Sequence, residues 1–127
     1  MGKKITDFID ATYNFYITRD FNELNGGSVI IKNTVGGEAF NEFILRNRKR
    51  FENEQNVYNY YEDYLSPVMK VVDHPSFNSY DYSLYPECKN IRSRELGHHH
   101  EGDFVLHTPG LPMEKRIEVL KQAKITR

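Results

Sequence analysis

Apolar residues recur along this chain at helical spacing in some stretches and as short unbroken runs in others, and the two patterns predict different elements. Ile5, Phe8 and Ile9 stand at helical spacing and predict a short opening helix, followed by the aromatic, β-prone segment from Tyr13 to Thr18, which predicts a strand. Asn25-Gly26-Gly27 is a strong turn signal. The almost continuous apolar run Ser28-Val29-Ile30-Ile31-Lys32 then reads as a buried strand entered through that turn.

From Glu38 to Phe51, residues Ala39, Phe40, Phe43, Ile44 and Phe51 repeat near the helical period. Arg46, Arg48, Lys49 and Arg50 gather late in this segment, where the helix dipole favours cations. A second helix is expected from about Asn53 to Leu65, with Val57, Tyr60, Tyr61, Tyr64 and Leu65 on one face as core, Glu62 and Asp63 outside it, and Pro67 as the stop. Met69 to Val72 reads as a short strand ending at Asp73-His74-Pro75, and Asp103 to His107 as another running into Thr108-Pro109-Gly110. Pro112 suits the first turn of a last helix whose Met113, Ile117 and Leu120 share a face. Residues 85–102 form one long polar, irregular stretch. Strands and helices interleave, which predicts an α/β chain.

Composition narrows the picture. A chain of 127 residues fits one compact domain or part of one, and 39% hydrophobic residues with nine Tyr and eight Phe suffice for a packed core. Lys and Arg total 17 against 18 for Asp and Glu, so the chain lacks the broad positive field that holds nucleic acid or an anionic membrane surface. The lysines near the N-terminus are not followed by an apolar run, and no stretch reaches the ~18 apolar residues of a membrane span. Cys88 has no partner in the chain and reads as a small hydrophobe or an exposed thiol.

Candidate chemistry lies at the ends of the strands. In Gly102-Asp103-Phe104-Val105-Leu106-His107-Thr108-Pro109-Gly110 a buried strand delivers an imidazole to its carboxyl end, and a glycine-containing turn follows. Ligands of open α/β sheets bind at such ends and imidazole ligates divalent transition metals, so His107 is either a metal ligand or a histidine that hydrogen-bonds within a turn. Leu24-Asn25-Gly26-Gly27-Ser28 either presents an amide side chain and backbone donors to a polar ligand or forms an ordinary hairpin turn. Asn53-Glu54-Gln55 opens the aromatic helix, where capping is the plainer role. Asp20 either binds sugar hydroxyls or starts a loop, and His98-His99-His100, flanked by Glu95 and Glu101, is either a metal tract or a solvated run.

Taken in order, these segments resemble the second half of the galactosyl/mannosyl/xylosyl transferase family known from yeast Golgi mannan and galactomannan enzymes and plant xyloglucan xylosyltransferases. The resemblance spans nearly the whole chain. It rests on Ile17 to Asp20, on Leu24-Asn25-Gly26-Gly27 with its apolar strand, on Asn53-Glu54-Gln55, on Phe77-Asn78-Ser79-Tyr80, and on Gly102-Asp103 through His107 to Gly110. It implies the C-terminal portion of a GT-A, Rossmann-like domain, a mixed sheet flanked by helices, as a single partial domain over residues 1–127. The implied activity is retaining transfer of a hexosyl or pentosyl group from a nucleotide-sugar donor to a glycan acceptor. By this resemblance His107 ligates Mn2+ on the donor diphosphate and Gly110 lies near the phosphates. Asp20, Asn25 and Gly26 face the donor, and Glu54 and Gln55 stand by the reacting anomeric carbon or the acceptor. Family members are often found in the Golgi lumen.

The chain departs from the family pattern in three places. The Asp-x-Asp metal motif expected ahead of Asp20 has no counterpart, Asn53 stands where the family carries an acidic residue, and the basic residue that often follows the final glycine is displaced to Lys115. The expected consequence is an incomplete transferase whose upstream half is missing; the alternatives are a small non-catalytic binding or interaction module and an inactive remnant of a transferase. The chain is also expected to self-associate through an exposed sheet edge.

Overall fold

Phe15, Tyr16, Ile17 and Thr18 are buried without a break, the mark of a strand covered on both faces, and they form most of β1 (Phe15–Asp20) at the centre of a three-stranded sheet. The computed structural model describes residues 4–20, 23–73, 77–86, 98–100, 103, 105–108 and 110–122. On one side of β1 runs β2 (Glu23–Ile31), antiparallel, and on the other β3 (Met69–Val72), parallel. Three helices lie between β2 and β3 in sequence: α1 (Val35–Arg48), α2 (Glu54–Tyr60) and α3 (Glu62–Leu65). The architecture is therefore α/β with a mixed sheet flanked by helices.

The Asn25-Gly26-Gly27 signal marks something other than the expected turn. Asp20 already pairs with Glu23, and the glycines sit inside β2. The register moves there, from Ile17 opposite Val29 to Thr18 opposite Asn25, so Gly26, Gly27 and Ser28 bulge out of the ladder. Glycine serves a bulge for the same reason it serves a turn, since both need backbone geometry or close approach that a side chain forbids.

Thr34 caps α1, its hydroxyl accepting from the Gly37 amide at 3.1 Å. A side chain at Gly37 would stand 1.9 Å from the Lys32 carbonyl oxygen, so glycine lets the helix start press against the end of β2. Phe40 and Ile44 of α1 enter the core, and the Phe40 ring stacks on Phe15 with centroids 4.1 Å apart. Asn53 caps α2 through the Asn56 amide at 3.0 Å.

The single helix expected from Asn53 to Leu65 is broken at Tyr61 (φ −104°) into α2 and α3. Val57, Tyr58 and Leu65 enter the core, whereas Tyr60 and Tyr64 are 72% and 70% exposed. The tyrosine stripe is therefore only partly core: Tyr61 packs against the core, while Tyr60 and Tyr64 face solvent. Tyr58, outside that stripe, packs against Phe15, and its hydroxyl is pushed up to about 12 by burial and by the charge of Glu54.

A second, smaller pair of strands completes the described residues. β4 (Ser79–Tyr80) runs parallel to β5 (Leu106–His107), and Tyr80, Tyr82 and Tyr85 cluster there with Leu84 and Leu111 packed against them. The expected strand from Asp103 is seen as Leu106–His107, since Gly102 and Phe104 lie outside the described residues, as do Cys88 and most of the irregular stretch 85–102. The last helix, α4 (Met113–Gln122), buries Val119 and leaves Met113, Ile117 and Leu120 exposed, so the face those three share is not the one that enters the core. Arg116, one turn before Val119, is half-buried, and its Nε donates to the Leu111 carbonyl at 2.7 Å, so a long aliphatic stem takes part of the buried face. Among the described residues no helix is long and apolar enough to cross a membrane.

Candidate functional site

Asp20 is the last residue of β1 and His107 the last of β5, so the two stand at the carboxyl ends of their strands. The bulge in β2 carries the chain toward them. A Cβ on Gly27 would lie 1.9 Å from His107 Cε1, 2.5 Å from its Nδ1 and 2.8 Å from Asn25 Oδ1. Only a glycine allows the imidazole and the asparagine to close over the same point of backbone.

Beneath this point lies a polar network. The Asn25 carboxamide nitrogen donates to Asp20 Oδ2 and to the Tyr80 hydroxyl, and that hydroxyl donates to Asp20 Oδ2 at 2.8 Å. Asn25 Oδ1 accepts from the Gly27 amide at 2.7 Å and from Asn78 Nδ2, also at 2.7 Å. Asn78 Nδ2 donates again, to the Thr18 hydroxyl at 3.0 Å. Thr18, Asn25, Asn78 and Tyr80 are all buried. Each hydrogen bond in so enclosed a network matters, because a buried group left unmet costs about 1–3 kcal/mol.

Helix α2 supplies the other wall. Gln55 Oε1 accepts from the Gly26 amide at 3.2 Å. One turn on, Asn59 Oδ1 accepts from the Leu24 amide at 2.8 Å and its Nδ2 donates to the Leu24 carbonyl at 3.2 Å. Two side chains four residues apart on one helix face thus stand in for a neighbouring strand along β2. The outer edge of β2 is thereby covered between Leu24 and Gly26.

His107 is half-buried, with its ring edge against Tyr80 at 5.3 Å between centroids and its Nδ1 buried without a hydrogen-bond partner. Burial holds its pKa below the ordinary value; the Asp20 carboxylate pulls the other way and the Arg116 guanidinium adds to the lowering. Asn78 Oδ1 is likewise buried without a partner.

The fold thus brings together Asp20, Asn25, Gly26, Gln55 and His107, drawn from separate motifs. It does not bring Glu54 into the network: the Glu54 carboxylate lies 3.8 Å from Arg48 Nε, half exposed at the start of α2. Gly110 adopts a left-handed backbone (φ 71°) between β5 and α4, exposed and with open space around it. Lys115 pairs with Glu118 at 3.8 Å. The histidine tract packs along β4: the His99 amide donates to the Tyr80 carbonyl at 2.8 Å, and His99 Nδ1 lies 2.8 Å from the Ser79 hydroxyl, which itself donates to the Val105 carbonyl.

Reading the sequence by residue missed roles for Tyr80, Asn78, Gly27 and Asn59. The signal for the first two was present, since alternation along a strand puts Asn78 and Tyr80 on one face and Ser79 on the other. Nothing local announces that this face meets β1 and β2.

Manganese coordination requires several oxygen-rich ligands around the ion. Among the described residues no group of three or more His, Cys, Asp or Glu side chains could hold a metal ion. His107 brings one nitrogen, and Asp20 Oδ2 already accepts from Asn25 and Tyr80. These residues do not make a manganese site. Comparison with protein-family models, with curated proteins and with solved structures returned no match.

Proposed function

We propose that the chain forms the donor-sugar side of a nucleotide-sugar-dependent glycosyltransferase of GT-A type, which moves a hexosyl or pentosyl group to a glycan acceptor with retention. One observation carries the reading: Asp20, Asn25, Gly26, Gln55 and His107, chosen from separate motifs, meet around a glycine bulge at the carboxyl ends of β1 and β5. Sites of open α/β sheets lie at such ends. In this reading the Asp20 carboxylate accepts hydrogen bonds from sugar hydroxyls, and the Gln55 amide dipole stabilises positive charge developing at the anomeric carbon. The uncharged His107 presents a nitrogen toward the diphosphate side.

The second reading is a non-catalytic binding or interaction module. It is favoured by the internal use of the Asn25 carboxamide and of the Gly26 and Gly27 amides, which leaves those donors committed within the fold.

Titration of the isotope-labelled chain with UDP-hexoses and with UDP, with and without Mn2+, separates the two. Donor binding predicts saturable shifts of the His107 ring signals and of the Gly26 and Gly27 amide signals, abolished for the sugar nucleotide by Asp20→Asn. Absence of any shift up to about 10 mM, beyond the weak end of specific binding, sinks the transferase reading.

A further inference from the structure

Tyr80 touches both residues that this reading turns toward the ligand. Its hydroxyl donates to Asp20 Oδ2 and its ring packs edge-on against His107. At 2% exposure it is itself closed to any ligand.

The hydrogen bonds around the hydroxyl form a closed ring whose directions follow from the chemistry. An ionised carboxylate only accepts, so the single phenolic proton points to Asp20 Oδ2. The phenolic oxygen then accepts from one Asn25 N–H, and the other Asn25 N–H donates to the same Asp20 oxygen. Asp20 Oδ2 is thus gripped by two donors that also grip each other. Asn25 is held in turn by the Gly27 amide and by Asn78, so the ring is anchored to the bulge and to the buried Thr18.

We propose that Tyr80 is a positioning residue: with Asn25 it clamps one oxygen of the Asp20 carboxylate while its ring sets the tilt of the His107 imidazole, so that aspartate and histidine are held in one fixed relation. The inference rests on the transferase reading for its link to a sugar, but the clamp itself is a property of the fold. Tyr80→Phe removes the hydroxyl and keeps the ring; Tyr80→Leu removes both.

NMR on the unliganded chain tests the clamp. Tyr80→Phe is expected to move the Asn25 carboxamide signals and to leave the His107 ring signals in place, whereas Tyr80→Leu moves both. Titration then tests the consequence: Tyr80→Phe is expected to weaken UDP-hexose binding about tenfold while UDP alone stays within about twofold, because only the sugar end meets Asp20. Unmoved Asn25 signals in Tyr80→Phe overturn the clamp, and equal weakening of UDP-hexose and UDP overturns its link to the sugar. A wild-type chain that binds neither nucleotide ends the transferase reading, and the unliganded spectra then decide the clamp by themselves.

Discussion

A carboxamide offers two N–H donors and two carbonyl lone pairs, and Asn25 uses all of them inside the protein. The residue that the family resemblance turns toward the sugar acts here as a strut, and its substitution acts on the positions of Asp20 and Gly27. Gly27 carries the sharpest steric constraint in the site. Gly27→Ala is expected to destabilise the chain by about 1–3 kcal/mol and to displace the imidazole, read by urea denaturation and by the His107 ring signals. His107 also makes stability depend on pH. Its folded pKa lies below the ordinary 6.5, so between those two values the unfolded chain binds more protons than the folded one. Stability is then present in full above about pH 6.5 and falls as pH drops through the window beneath it. Thermal melts from pH 7.5 to pH 5 are expected to show this slope, and His107→Gln to flatten it.

At the scale of elements, α2 acts as a surrogate strand. Asn59 meets both backbone groups of Leu24 and Gln55 meets the amide of Gly26, so the helix covers part of an edge that would otherwise invite pairing with another chain. Asn59→Ala is expected to cost about 1–3 kcal/mol, since the buried Leu24 loses the partner of its amide, and to raise the self-association seen by analytical ultracentrifugation. Helix faces show where local pattern stops being informative. For α1 the period correctly marks Phe40 and Ile44 as core. For α2 and α3 it marks Tyr60 and Tyr64, yet those two are exposed and Tyr58 is buried. Two apolar stripes fit the same short stretch, and only the position of the sheet chooses between them.

For the whole molecule, the aromatic core around β1 holds the sheet to its helices: Phe15 is fully buried between Phe40 and Tyr58. Phe15→Ala is expected to cost about 3–5 kcal/mol in chemical denaturation, enough to unfold a domain of ordinary stability. The contact between the two sheets is of another kind, made by Asn78 and Tyr80 reaching Thr18, Asn25 and Asp20. Directional bonds of this sort set geometry more than they add stability, which suits a site. The sequence by itself determined the α/β character and the order of the main elements, though not β4 or the break between α2 and α3, because apolar runs, helical period and capping residues act within a few positions of the chain. It also offered His107 and the Asn25 turn as candidates, while Asp20, Glu54, Gln55 and Gly110 were singled out only by the family resemblance. Only the tertiary structure decided that the Asn25 glycines form a bulge, that Glu54 turns to Arg48, and that Tyr80 sits at the hub. Those outcomes depend on which strands pair and in what register, and a contact such as Tyr80 with Asp20, between residues far apart in the chain, leaves no trace in the pattern around either one.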